Sequence, residues 1–201
     1  IPNGTGTWAN GLNQFDRSTE RFIRYQNNPE DPHTLSNDSI RSMIEDRTGA
    51  LWVGTVDGLN KFDRATKQFT RYQHDPDNPN SLGGNVIEAL YEDRTGILWV
   101  STGDGLDRFD PKTERFVHYQ HNPDDPQSIS HNVVRSIYED SSETLWVGTM
   151  AGLNKFDRDT EQFIRYQYDP TDPSSLSNDA VYMVFEDQAG NLWAGTWGGR
   201  A

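Results

Sequence analysis

The chain repeats itself every 47 residues, and no other feature limits its possible folds so strongly. Gly-Leu recurs at Gly11-Leu12, Gly58-Leu59, Gly105-Leu106 and Gly152-Leu153, and Leu-Trp at Leu51-Trp52, Leu98-Trp99, Leu145-Trp146 and Leu192-Trp193. Phe15/Phe22, Phe62/Phe69, Phe109/Phe116 and Phe156/Phe163 keep the same register without one insertion or deletion. A period of about 40–50 residues marks one supersecondary unit that buries its apolar face only against a neighbouring copy.

Each copy reads as four short strands. In the third copy the first strand falls within His131–Asp140, apolar on both sides, as in a strand packed on both faces. Leu145–Thr149, Leu153–Phe156 and Gln162–Gln167 follow, with Asp-led turns such as Asp46-Arg-Thr-Gly49 and Asp93-Arg-Thr-Gly96 between the first two. A stretch with two prolines, Tyr168–Ser177, then crosses to the next copy, since proline cannot donate to a sheet ladder. No apolar stripe of helical period occurs, leucine-rich repeats are far shorter, no Trp-Asp dipeptide supports a WD40 blade, and the pair Gly83-Gly84 is not periodic as kelch glycines are. The fold class is therefore all-β, a β-propeller of four-stranded antiparallel blades forming one array over residues 1–201, with repeats 11–57, 58–104, 105–151 and 152–198.

The phase of the repeat matters too. The chain opens with the third strand of a blade, near Gly6-Thr7-Trp8, and closes with a second strand, Leu192–Trp197. The two ends together make one composite closure blade, as propellers tie their termini. Closed within one chain the ring has four blades; closed between two chains it has eight. The eight-bladed homodimer is the favoured reading, and a piece of a longer propeller is its rival. The absence of an initiator Met or signal peptide fits an internal piece of a longer gene product.

Leu-Trp-Val-Gly-Thr-x-x-Gly-Leu-Asn-Lys-Phe-Asp-Arg-x-Thr-x-x-Phe-x-x-Tyr, at 51–72 and 145–166, resembles the two-component regulator propeller repeat. The Asp-Pro-x-x-Pro-x-Ser-Leu crossing and the Ile-x-Glu-Asp-x-x-Gly-x-Leu-Trp block complete the likeness over essentially the whole chain. The resemblance implies the extracytoplasmic, periplasmic sensor of a hybrid histidine kinase, many of which respond to oligosaccharides through rings of usually seven blades. This chain has four copies and no kinase, receiver or transmembrane segment.

Composition sets limits on function. With 31 acidic against 18 basic residues the net charge is −13, a surface that repels nucleic acid and anionic lipid. No apolar run approaches a membrane span, and the absence of cysteine removes thiolate chemistry, Cys-type zinc sites and iron–sulfur ligation. The histidines His33, His74, His118, His121 and His131 occupy four different columns of the repeat and form no regular ligand set, so no metal or cofactor is expected. The acidic crossings, Asp75–Pro79 and Asn122–Pro126, lack the spacing of a calcium loop and read as rigid connectors. The adjacent carboxylates Glu45-Asp46, Glu92-Asp93, Glu139-Asp140 and Glu186-Asp187 point to opposite faces of a strand and cannot flank one bond. Capping by the Asp is the better reading, and Trp52, Trp99, Trp146 and Trp193 read as core between blades.

A binding site is expected where the copies differ at one end of the ring, at the crossings and the turns between second and third strands. The residues singled out are Trp8, Asn10, Asp57, Asp104 and Trp197 at those turns, and Arg41, Glu88, Arg135 and Tyr182 entering the inner strands. Aromatic faces beside charged hydrogen-bonding groups suit an oligosaccharide. No catalytic residue is assigned. A ligand-free repeat scaffold, natural or engineered, is the first alternative, and a propeller lyase or glycosidase the second.

Overall fold

The computed structural model describes residues 9–198 and contains sixteen strands in chain order. Three complete antiparallel blades, each in chain order, carry the middle of the chain. They are β3 (Ile40–Glu45) to β6 (Phe69–Tyr72) through β4 (Leu51–Thr55) and β5 (Gly58–Phe62); β7 (Ile87–Glu92) to β10 (Arg115–Tyr119) through β8 (Leu98–Thr102) and β9 (Gly105–Asp110); and β11 (Val134–Glu139) to β14 (Gln162–Tyr166) through β12 (Leu145–Thr149) and β13 (Gly152–Asp157). Two half blades flank them: β1 (Leu12–Asp16) with β2 (Arg21–Tyr25), and β15 (Val181–Glu186) with β16 (Leu192–Thr196). First strands touch in succession, β3 to β7 to β11 to β15, and so lie innermost. Among the described residues the two halves occupy separate sheets.

The Gly of each Gly-Leu pair opens the third strand with a backbone that side chains resist. Gly58 has φ +121°, and a Cβ there would stand 2.7 Å from the Tyr72 carbonyl oxygen.

Blades are joined by aromatic rings. The Trp52 ring lies edge-on to Phe109 of the next blade at 5.2 Å, and Trp99 meets Phe156 in the same way at 5.1 Å. Each indole is anchored at home: Asp46 Oδ2 accepts from Trp52 Nε1 at 2.7 Å, and Asp93 Oδ2 from Trp99 Nε1 at 2.9 Å. The other oxygen of Asp46 accepts the turn amides of Thr48 and Ala50. The Asp is thus the turn cap that its position suggests, and it also holds the tryptophan. Its Glu neighbour reaches back to the preceding blade, where Glu92 accepts from the Arg47 amide at 2.9 Å, Glu139 from Arg94 at 2.8 Å and Glu186 from Ser141 at 2.6 Å.

A polar knot recurs inside the blades. Asn60 donates to Ser36 Oγ and the Val53 carbonyl and accepts from the Ser36 amide; Asn154, Ser130 and Val147 repeat it. Arg71 and Arg165 on the outer strands donate to carbonyls of the crossings, Thr34 and Ser128 among them. The middle blade differs: Asp107 accepts from the Gly83 amide at 2.6 Å and lies 2.8 Å from His118 Nδ1.

Three outcomes follow. Asp93 is fully buried; burial opposes its charge, but bonds from Thr95, Trp99, Arg158 and the Ile97 amide outweigh that and hold its carboxyl below the ordinary value. Asp93→Ala strands the Trp99 indole and the Arg158 guanidinium, and lowers stability in urea unfolding by about 3 kcal/mol. Glu143 stands at φ 63° where the other copies have Gly49, Gly96 and Gly190 at +84°, +89° and +81°, so Glu143→Gly raises stability by up to about 1 kcal/mol. The hydrogen bond to Asp107 raises the His118 pKa above its ordinary 6.5. Its contribution is therefore complete below pH 6.5 and is lost as pH rises through the raised folded value. The thermal midpoint falls across that window in the parent, and the fall is smaller in Asp107→Asn/His118→Arg.

Candidate functional site

In all four inner strands the ladder slips by one residue at the same place. The register runs Ile40↔Thr55 then Ser42↔Gly54, Ile87↔Thr102 then Ala89↔Ser101, Val134↔Thr149 then Ser136↔Gly148, and Val181↔Thr196 then Met183↔Gly195. The extra residue in each case is Arg41, Glu88, Arg135 or Tyr182. A bulge takes a side chain out of the pleat and re-aims it, so one backbone device presents a different functional group from each blade.

The turns between second and third strands lie at that same end. The Val56 amide donates to the Ser39 carbonyl, Met150 to Val133 and Trp197 to Ala180, which ties these three turns to the ends of crossings. The Asp57 amide is fixed by Thr55 Oγ1 and its carbonyl by Gln73 Nε2, and the Asp104 amide by Thr102 Oγ1. The pair Gly83-Gly84 acquires a reason here. A Cβ at Gly84 would stand 2.7 Å from Asp104 Oδ2, and one at Gly83 2.7 Å from Asp107 Oδ1.

Two groupings result. Arg41 Nη1 lies 3.7 Å from Glu88 Oε2, across neighbouring blades. The Arg135 guanidinium lies 5.5 Å from the centre of the Tyr182 ring, and Tyr182 lies 5.9 Å from Trp197 with the planes tilted 42°. Trp197 is 73% exposed. Arginine, tyrosine and tryptophan thus form a row with one wide aromatic face open. Asn10 is exposed at the turn that enters β1, and Trp8 lies outside the described residues.

Other polar candidates are committed to structure. Asp75 and Asp169 accept the amides of Asp77 and Thr171 within their own crossings. His74 and His121 lie 2.8 and 2.9 Å from the Leu82 and Ile129 carbonyls, and His131 accepts the Val133 amide. The tryptophan motif behaves unequally: Trp52 and Trp99 are buried, whereas Trp146 is half-buried and Trp193 is 60% exposed on a half blade. The core reading of this column is realised only where a following blade is complete. Sequence reasoning found the bulged residues from their column but not the bulge itself, which leaves no mark in residue type.

Comparison with known proteins agrees with this architecture. The two component regulator propeller family matches at residues 34–57, 81–104, 128–151 and 175–198. Among solved structures, one described as the extracellular domain of the hybrid two component system BT4673 from B. thetaiotaomicron is 25% identical with a TM-score of 0.74, covering 94% of this chain and 24% of that one. Another, described likewise for BT3049 from the same organism, is 26% identical with a TM-score of 0.66, covering 96% and 30%. The chain therefore spans less than a third of either. Virginiamycin B lyase from Staphylococcus aureus, 13% identical with a TM-score of 0.61 over 92% of this chain and 56% of its own, shares the fold alone. No curated protein matches by sequence. Four copies of the two component regulator propeller repeat thus lie in unbroken register along the chain.

Proposed function

We propose that the chain is the ligand-binding part of an extracytoplasmic sensor, and that it takes an oligosaccharide at the end of the array carrying the bulges. The observation that carries this reading is the Arg135–Tyr182–Trp197 row beside the Arg41–Glu88 pair. A sugar ring needs a flat apolar face to stack on and polar groups at its edge for the hydroxyls, and these two groupings supply both kinds. The likeness to extracellular domains of two component systems supports the sensor assignment and the location. A non-enzymatic role is supported by the adjacent carboxylates. Asp46, Asp93 and Asp140 hold turns and indoles, and Glu92 and Glu139 hold the neighbouring blade, so none is left as an acid–base pair.

Titration calorimetry against neutral and acidic oligosaccharides tests the reading. Binding weakens by about tenfold in Trp197→Ala, the loss of one stacking partner. Arg135→Ala weakens acidic ligands more than neutral ones. No binding across a broad panel, or binding indifferent to both substitutions, overturns the proposal in favour of a scaffold without ligand.

A further inference from the structure

The three complete blades meet at two joints, and the outer parts of those joints are built differently. Between the second and third blades the space is filled. Ile97 packs against the cluster around Trp99, Arg108 of β9 stands opposite Val117 of β10, and Arg108 Nη1 closes on Glu161 Oε1 of the next blade at 2.6 Å. Between the first and second blades it is open. A groove of about 510 Å³ runs there, with Ala50, Lys61, Arg64, Thr70, Tyr72 and Glu114 among its walls.

Ala50, Lys61, Thr70 and Glu114 are the repeat equivalents of Ile97, Arg108, Val117 and Glu161, and three of the four are exchanged. Alanine leaves out the branched side chain that Ile97 supplies. Lys61 lies over its own blade's tryptophan, Nζ 5.2 Å from the centre of the Trp52 ring, and among the described residues no ion pair joins it to Glu114. Glu114, on the turn between β9 and β10, accepts instead from the Tyr72 hydroxyl at 3.1 Å through Oε1, which leaves Oε2 able to take a further donor. Thr70 stands directly opposite Lys61 in the ladder, so an ammonium and a hydroxyl share one wall. Val117 gives the next joint no such donor. Arg64 is tied to the Gly49 carbonyl at 3.0 Å and to Glu45 at 2.8 Å, and bounds the groove.

The groove thus offers a cation and a hydroxyl on one blade, a carboxylate on the next, and beside Ala50 the space of a missing isoleucine side chain. A simple anion is opposed by Glu114, a simple cation by Lys61, and a neutral sugar answers neither charge. A molecule carrying both charges answers both, through charge-assisted hydrogen bonds at each end.

We infer that this groove is a site for a free α-amino acid with a branched aliphatic side chain. The ligand's carboxylate takes the Lys61 ammonium and the Thr70 hydroxyl, its ammonium takes the Glu114 carboxylate, and its side chain enters the space beside Ala50. The inference is independent of the sugar reading, because it uses neither the Arg135–Tyr182–Trp197 row nor the Arg41–Glu88 pair.

Titration calorimetry on the 201-residue chain with L-leucine, L-isoleucine and L-valine tests it. Saturable binding is expected for all three, and binding weaker by about tenfold for N-acetyl-leucine and leucine amide, each of which lacks one charge. Lys61→Met and Glu114→Gln each weaken leucine by about tenfold as well. Ala50→Ile/Lys61→Arg/Thr70→Val gives this joint the residues of the next and abolishes binding, while the thermal midpoint stays at or above that of the parent. No binding of the three amino acids overturns the inference. N-acetyl-leucine or leucine amide binding as tightly as leucine overturns it too, a result read on the parent alone whatever the substitutions do to folding. Binding that survives the triple substitution in a folded protein has the same consequence.

Discussion

The joints between complete blades depend on Trp52 and Trp99, each held by its own blade and covered by the next. The turn aspartate fixes the indole nitrogen at home, and the phenylalanine one blade on supplies the ring that excludes water. A single blade has no means of covering that face, so stability is set by pairs of neighbours more than by blades, as in any array of stacked repeats. The motif around the four tryptophans is nearly invariant, yet burial runs from complete at Trp52 and Trp99 to 60% exposure at Trp193. Burial here is a property of the neighbour, and the copies differ because their surroundings do.

That frame leaves the inner strand ends free to vary. The bulge recurs in all four copies, while its occupant changes from Arg41 to Glu88 to Arg135 to Tyr182. Structural columns stay constant because each residue in them answers to a partner in the next blade. The bulged residue has left the ladder, so its side chain is not fixed by cross-strand pairing. Specificity can therefore be written into the differences between copies at little cost to the fold.

The fold was legible because a period without insertions fixes strand, turn and crossing together, and the turn role of Asp46 and Asp93 could be read from position alone. The indole bond of those aspartates could not, since it depends on where the second strand brings Trp52 and Trp99. Nor could the clasp from Glu92 to the Arg47 amide, which joins residues 45 apart on different blades. At the candidate site, the column of Arg41, Glu88, Arg135 and Tyr182 was readable, whereas the row of Arg135, Tyr182 and Trp197 exists only once two blades are placed side by side. The exposure of Trp193 was unreadable for the same reason.

The middle blade shows how strictly the columns are coupled. Where its neighbours use Ser, Asn and Arg, it has Gly83, Asp107 and His118, and the three changes make sense only together. An aspartate cannot donate as Asn60 does to Ser36, so a serine there would have to turn its own hydroxyl toward the carboxylate. Glycine removes the hydroxyl and gives space, because any Cβ at Gly83 would stand 2.7 Å from the carboxylate. Histidine then meets the Asp107 carboxylate while reaching the Pro79 carbonyl at 3.2 Å, the crossing contact that Arg71 and Arg165 make elsewhere. One blade is thus tied by a titratable pair and its neighbours by neutral amides and permanent guanidinium charge. The half blades carry Asn13, Arg24 and Ser177, the non-titrating set, so among the four copies the titratable pair belongs to the middle blade alone.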